Sequence, residues 1–286
     1  MDLARSIPEV RRQIAAVRRN GARIGLVPTM GALHEGHLSL METARSHSDY
    51  VVVSIFVNPT QFGPNEDLDK YPRDEQRDLE LCRAVGAALV FLPTADDMYP
   101  PGAETVVHVK GLGDYLCGPA RPGHFDGVAT IVCKLFNIVQ PDVALFGEKD
   151  AQQLAILRRM TIDLNLPVDI VGCPTVREPD GLARSSRNVY LTEEQRRRAP
   201  GIQNALQAAR DEILAGQSAT DKIESLLLGH LRAASPDKID YAQVVDVQTL
   251  QPVDKIVRPV LIAVAAWFGS TRLIDNLTVD PLRDNT

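Results

Sequence analysis

The sequence predicts an α/β protein, with a parallel sheet covered by helices on both faces and a smaller α+β domain after it. Three observations lead there. From residue 1 to about 175, short apolar runs alternate with amphipathic helical stretches, the order from which parallel sheets are built. The run Tyr50-Val-Val-Val-Ser-Ile-Phe-Val57 is β-branched and apolar nearly throughout, as a strand buried on both faces must be. After Pro174 the order changes to helices followed by strands, which predicts a separate domain over 176–286.

Bulk properties narrow the function. The 286 residues can bury a full core in one large or two smaller domains. A net charge of −6 argues against a protein that coats nucleic acid, while leaving room for a local basic pocket. Cys82, Cys117, Cys133 and Cys173 are scattered, with no Cys-x-x-Cys pair; free thiols in a reducing cytosol are expected. Met1–Ile14 is charged and lacks the apolar core of a signal peptide. The longest apolar run, 260–268, falls far short of the roughly 20 residues that span a bilayer. The expectation is a cytoplasmic protein with no membrane or nucleic-acid partner.

The elements follow in order. Val10, Ile14 and Val17 mark an amphipathic helix over 8–20, closed by Asn20-Gly21. Ile24–Val27 is a buried strand that should stop at Pro28, which cannot donate to a ladder. Helix 38–45 leads to strand 50–57, which ends at the turn Asn58-Pro-Thr-Gln61-Phe-Gly63. Helix 74–85 and strand 88–92 come next. Residues 96–123 are irregular, with a short strand expected at 105–109. Asp126 is placed to cap a helix over 127–139. Strand 142–146, helix 151–164 with a stripe at Leu154, Leu157 and Met160, and strand 168–171 complete the alternation. Beyond the turn Glu178-Pro-Asp-Gly181, Thr192 and Gln195 form a capping box. Helical stretches to about 215 and over 219–234 precede strands 241–247, 259–267 and 272–279.

Three loops are suited to phosphate. The first, Pro28-Thr-Met-Gly-Ala-Leu-His34-Glu-Gly-His37, joins a strand to a helix through two glycines. Such a turn is expected to aim free backbone N–H groups and a positive helix end at one spot. His34 and His37, three apart, share one side of the helical first turn and can donate to phosphate oxygens. A zinc reading requires His-Glu-x-x-His; this motif is one residue short, and no cysteine or acidic cluster completes a tetrahedral site. The second loop, Gly147-Glu-Lys149-Asp150, repeats the logic: Lys149 meets phosphate as a point charge, and Asp150 either caps a helix or helps hold a divalent cation. Read alone, it is equally a capped helix with a solvated lysine. The third, Ser185-Ser186-Arg187, offers two hydroxyls and a forked donor; alone, it is a polar linker.

Six stretches together go further. They are Val27–His37, Val53–Phe62, Tyr71-Pro-Arg73, Arg121-Pro-Gly-His-Phe125, Phe146–Asp150 and Asp180–Asn188, with Trp267–Asn276 also similar. On these the chain resembles the pantoate–β-alanine ligase (pantothenate synthetase) family of the His-x-Gly-His nucleotidyltransferase superfamily. The resemblance implies a Rossmann-like doubly wound sheet, a small C-terminal α+β lid and a homodimer. It implies ATP-dependent condensation of (R)-pantoate with β-alanine, releasing AMP and diphosphate, with Mg2+ as the cation and its ligands undefined. By position it implies that Met30, Gly31, Ala32, Leu33, His34, Glu35, Gly36 and His37 line the ATP site. Gly147, Glu148, Lys149, Asp150, Val176, Arg184, Ser185, Ser186 and Arg187 would also contact ATP. His37 would be the proton donor and His34 its companion, with Lys149 and Arg187 as further catalytic donors. Gln61 and Gln153 would hold pantoate, Gln61 also facing β-alanine.

Three positions depart from the family pattern: Arg184 for an apolar residue, Thr60 for methionine and Ala151 for an aromatic. Arg184 either adds a phosphate contact or points outward. Two other readings fit the sequence less well. A dinucleotide-dependent dehydrogenase lacks its Gly-x-Gly-x-x-Gly, whose place the histidines take. A non-catalytic nucleotide-binding regulator would not need Gln61 and Gln153 beside the phosphate motifs.

Overall fold

The computed structural model describes residues 1–64 and 66–284; the last two positions of the expected second domain lie outside these. The chain divides into two compact units. One comprises Met1–Lys110, Arg121–Glu148 and Gln153–Pro174, the other Gly111–Ala120, Lys149–Gln152 and Thr175–Thr286.

The first unit is built on β1 (Asp2–Ala4), β2 (Ile24–Thr29), β3 (Tyr50–Ile55), β4 (Leu89–Phe91), β5 (Val143–Gly147) and β6 (Asp169–Cys173). They form one sheet in the order β1-β4-β3-β2-β5-β6, every pair parallel. Helices α1 (Ile7–Arg19), α2 (Glu35–His47), α3 (Glu75–Ala84), α4 (Ala95–Met98), α5 (His124–Val139) and α6 (Ala151–Asp163) connect the strands. Alternate residues of the central strands feed two cores. Ile24, Leu26 and Val52 join α1, α5 and α6 on one face, while Val27, Val51 and Val53 join α2 and α3 on the other. This is the doubly wound α/β arrangement expected from near-continuous apolar strands.

The strand order reverses between β2 and β5, so this unit's switch point lies where Thr29 and Gly147 end those strands. Ligands of open α/β sheets bind at such points. Here β2 runs through Pro28 to Thr29 instead of stopping. Thr29 O accepts from Phe56 N, so Thr29 faces β3 and Pro28, by alternation, faces β5. Pairing of β2 with β5 ends at Leu26 and Ala144, so the missing N–H of Pro28 breaks no ladder bond.

Other expectations need correction. The edge strand β1, three residues long, has no counterpart among the expected elements, being too short to show a period. Residues 105–109 form no strand; Val107 N donates instead to the Thr130 side chain, and Val107 and Val109 pack on the core. Asp126 is no cap: α5 starts at His124 after Gly123, and Asp126 in its first turn pairs with His108 at 2.8 Å. The helical stretch after Thr192 breaks at Ala199-Pro200, giving α7 (Glu193–Arg198) and α8 (Gly201–Leu214). The capping box of Thr192 and Gln195 is present. Gly127 has a steric role, since a Cβ there would come within 2.5 Å of Thr60 O and push α5 off the turn after β3.

The second unit packs α8 and α9 (Thr220–Ala233) on an antiparallel sheet of β7 (Lys238–Asp246), β8 (Val260–Phe268) and β9 (Thr271–Val279), in that order. Its core mixes both layers: Ile202, Leu206, Leu227 and Leu231 from the helices, Val244, Ile262, Val264 and Phe268 from the strands.

Candidate active site

The turn after β2 is held from below by one carboxylate. Gly31 and Ala32 have φ of 79° and 50°, the left-handed region that costs a non-glycine residue energy. Asp78, 2% exposed on α3, offsets that cost by accepting Ala32 N at 2.9 Å and Leu33 N at 2.8 Å. Burial raises the pKa of the Asp78 carboxyl, with the two backbone donors opposing it. A Cβ at Gly31 would stand 2.8 Å from Asp78 Oδ2, so glycine is required there by space as well as by φ.

His34 is the N-cap of α2. Its Nδ1 accepts Gly36 N at 3.1 Å, and His37 Nδ1 accepts His34 N at 3.3 Å. This is a capping box with imidazoles in place of the usual hydroxyl and carboxyl groups. The rings lie 4.1 Å apart, tilted by 40°. Because each Nδ1 accepts from an amide, the neutral form of each ring carries its proton on Nε2.

The arrangement revises the chemistry expected of this turn. Gly31 N donates to Thr29 Oγ1 at 3.2 Å, and His37 N and Leu38 N donate to His34 O. With Asp78 and the two imidazoles, most amides from Gly31 to Leu38 therefore have protein acceptors. They are not a free nest for phosphate. The groups suited to meet an anion are the imidazole Nε2–H donors and the positive end of α2.

Gln61 sits in a single 3-10 turn, Pro59–Gln61, after β3. Its orientation is set by Asn58, 1% exposed. Asn58 Nδ2 donates to Gln61 Oε1 and to Gly127 O, both at 3.1 Å. Asn58 Oδ1 accepts from Thr60 Oγ1 and Tyr99 OH, both at 2.9 Å. The Gln61 NH2 group points instead at Met30 Sδ, 3.3 Å away, a weak acceptor. Gln61 therefore offers its donor end, not both ends of the amide. Its backbone carbonyl accepts His124 Nδ1 at 2.8 Å, and His124 Nε2 accepts Arg121 Nη1 at 2.9 Å. Burial alone would raise Glu66, but the bond and charge of Arg121, 2.7 Å away, hold its pKa below the usual range. Gln153 is half-buried on α6.

In the second unit, Lys149 Nζ is 4.0 Å from Asp150 Oδ2 in the turn after β5. Gln152 holds the 111–120 segment, donating to Leu112 O and Tyr115 O and accepting Cys117 N. Val176 O accepts Arg184 N at 2.9 Å, and Arg177 bridges to Ala183. The Arg184 guanidinium is paired with Glu178 at 2.8 Å. Ser185 caps the short turn Ser186–Tyr190 by accepting Arg187 N, which leaves its hydroxyl hydrogen to donate.

A sequence model of the family described as pantoate–β-alanine ligase matches residues 2–278. The chain belongs to that family. It is accordingly an enzyme, a pantoate–β-alanine ligase. It is 53% identical over 280 residues to the pantothenate synthetase of Moorella thermoacetica, covering 98% of this chain and 99% of that one. The crystal structure of pantothenate synthetase from Thermus thermophilus superposes with a TM-score of 0.92 at 48% identity, over 97% of this chain and 99% of the other. That of the Francisella tularensis pantoate–β-alanine ligase, complexed with β-γ ATP and β-alanine, gives a TM-score of 0.77 at 34% identity over the full length of both. The family's fold is the one described above, and membership sets aside the dehydrogenase and regulator readings.

Two residues of the ligase have no role legible in the sequence. Asn58 lies in the Val53–Phe62 motif, three residues before Gln61, the spacing that lets the two amides meet. Asp78 had a fainter signal: it begins the buried stripe of α3 four residues before Cys82, where an apolar residue is the norm.

Proposed function

We propose that this ligase joins (R)-pantoate to β-alanine in two steps on one bound ATP. The pantoate carboxylate attacks the α-phosphorus, forming pantoyl adenylate as the bond to diphosphate breaks. The β-alanine amine then attacks the activated carbonyl and loses a proton, and AMP leaves to give pantothenate. Neither step needs a protein nucleophile. The protein's task is alignment and neutralisation of the charge that develops on the departing diphosphate.

The observation that carries this reading is the imidazole capping box. It commits both Nδ1 atoms to backbone amides and so fixes His34 and His37 as Nε2–H donors. In this assignment His37 is the proton donor, and His34, Lys149 and Arg187 share the phosphate charge. Met30–His37, Gly147–Asp150, Val176 and Arg184–Arg187 contact ATP. Gln61 gives its NH2 to pantoate or β-alanine oxygens, and Gln153 holds pantoate. The complex of the Francisella relative with β-γ ATP and β-alanine supports ATP and β-alanine as ligands.

Magnesium fits the residues present. Among the described residues no three His, Cys, Asp or Glu side chains gather to hold a metal, but nucleotide-bound magnesium needs only one or two carboxylates besides phosphate and water. Asp150, half-exposed beside Lys149, would supply one. When bound, the ion adds positive charge to the diphosphate.

Among the described residues no helix is long and apolar enough to cross a membrane. A cytoplasmic location, expected from the scattered cysteines, and a homodimer, implied by the family resemblance, belong to the same proposal.

The test is product release with each substrate omitted in turn. With ATP and pantoate alone, one equivalent of diphosphate per site is expected and no steady turnover; adding β-alanine should start AMP release. Diphosphate release that requires β-alanine, or AMP release without pantoate, would overturn the two-step reading.

A further inference from the structure

Lys149 stands in a single 3-10 turn, Glu148–Asp150. One such turn is a poor foundation for a side chain that must deliver a point charge to a phosphate. The lysine stem is flexible, and its rotamer entropy opposes ordering. The turn joins β5 directly to α6, and a contact from outside it would fix further where that stem starts. Asn276 on β9 is in place to do so, because its Nδ2 donates to the backbone carbonyl of Lys149 at 2.8 Å. The neighbouring Asp275, 4% exposed, fixes Asn276 in turn by accepting its backbone N–H at 2.8 Å.

Asp275 also receives the guanidinium fork of Arg177, Nη1 to Oδ2 at 2.6 Å and Nη2 to Oδ1 at 3.0 Å. Arg177 donates as well to Gly181 O at 3.1 Å. It adjoins Val176 and pairs with Ala183, just before Ser185–Arg187. One two-residue step of β9 thus holds the Lys149 turn with one residue and the Val176–Arg184 pairing with the other. A strand bonded along its whole length to β8 is a rigid support for loop-borne donors.

We propose that Asn276 is a positioning residue for Lys149: by holding the Lys149 carbonyl it sets the ammonium's approach to the nucleotide. This rests on the reading of Lys149 as an ATP-binding group. Asn276 itself need not touch ATP, pantoate or β-alanine.

A double-mutant cycle on the full-length enzyme tests it, with single-turnover diphosphate release from ATP and pantoate as the readout. Asn276→Ala should slow release about tenfold, the worth of one well-made hydrogen bond, and Lys149→Ala should slow it more. In the Lys149→Ala background, Asn276→Ala should add less than about twofold, because the group it positions is gone. A tenfold loss in both backgrounds would overturn the proposal and leave Asn276 a merely structural residue. If Lys149→Ala alone left the rate unchanged, the ATP reading of Lys149 would fall and this inference with it, an outcome distinguishable from additivity. Should Asn276→Ala fold poorly, Asn276→Asp keeps the shape but sets an acceptor against the Lys149 carbonyl. A larger loss is then expected, and again it should vanish without the lysine.

Discussion

The Nδ1 atom of His34 accepts the amide of Gly36, and that of His37 accepts the amide of His34. Each ring thus holds the backbone through Nδ1, and in the proposed reaction it is Nε2 that meets phosphate. His34 separates the two roles. His34→Asn keeps a capping acceptor and should keep its melting temperature while losing much of its activity. His34→Ala should lose both, the missing cap costing about 1 kcal/mol, or roughly 2–4 °C in a chain of this size. Thermal melts with steady-state AMP release decide it; equal melting and equal activity in the two variants would count against the division.

Asp78 should set ATP affinity without touching ATP. Asp78→Ala frees two amides of a strained turn, and KM for ATP should rise by about tenfold or more with KM for β-alanine little changed. The pH dependence has a definite sign. Burial lifts the Asp78 pKa above its ordinary 3.8, so the folded state binds that proton more tightly than the unfolded state. Its contribution to stability therefore falls as pH rises from 3.8 through the raised value. Asp78→Asn should lack that slope in denaturant titrations across the same window; an identical slope would assign it to another group.

Asn58→Asp should raise KM for pantoate sharply. The substitution turns a donor to Gln61 Oε1 and Gly127 O into an acceptor facing two acceptors, so Gln61 must swing or flip. Asn58→Ala should cost about tenfold. Unchanged pantoate kinetics in both variants would show that Gln61 needs no such guide.

Arg184 is the departure with the smallest expected effect. Its guanidinium is engaged with Glu178, and the pair is partly exposed, so Arg184→Leu should cost less than about 1 kcal/mol of stability. KM for ATP should move less than about threefold. A tenfold rise would mean that the guanidinium leaves Glu178 to bind nucleotide.

How much of this could be read beforehand follows from the range of each interaction. The β2 turn, its histidines and the parallel sheet are written in local pattern: an apolar run, glycines, polar groups at helical spacing. The capping box of His34 and His37 spans three residues and was visible as proximity, though not as a tautomer. Asp78 holds Leu33 across 45 positions and Asn276 holds Lys149 across 127. Those contacts depend on which helix and strand pack beside each turn, and no window along the chain contains them. Pro28 misled for a related reason. A proline ends a strand only if its missing donor faces a paired neighbour, and that side was set by where β5 stops pairing with β2.

The most direct test of the imidazole assignment is the pre-steady-state burst of diphosphate from ATP and pantoate in His37→Gln and His37→Asn, each first checked for a native melt. The longer glutamine places its NH2 near the position of Nε2, while asparagine reaches only the Nδ1 position and serves the cap. His37→Gln should keep a measurable burst, and His37→Asn should slow it by about 10²-fold or more, as loss of a donor to developing charge requires. A burst of wild-type rate in His37→Asn would contradict the claim that this ring donates from Nε2 to the departing diphosphate.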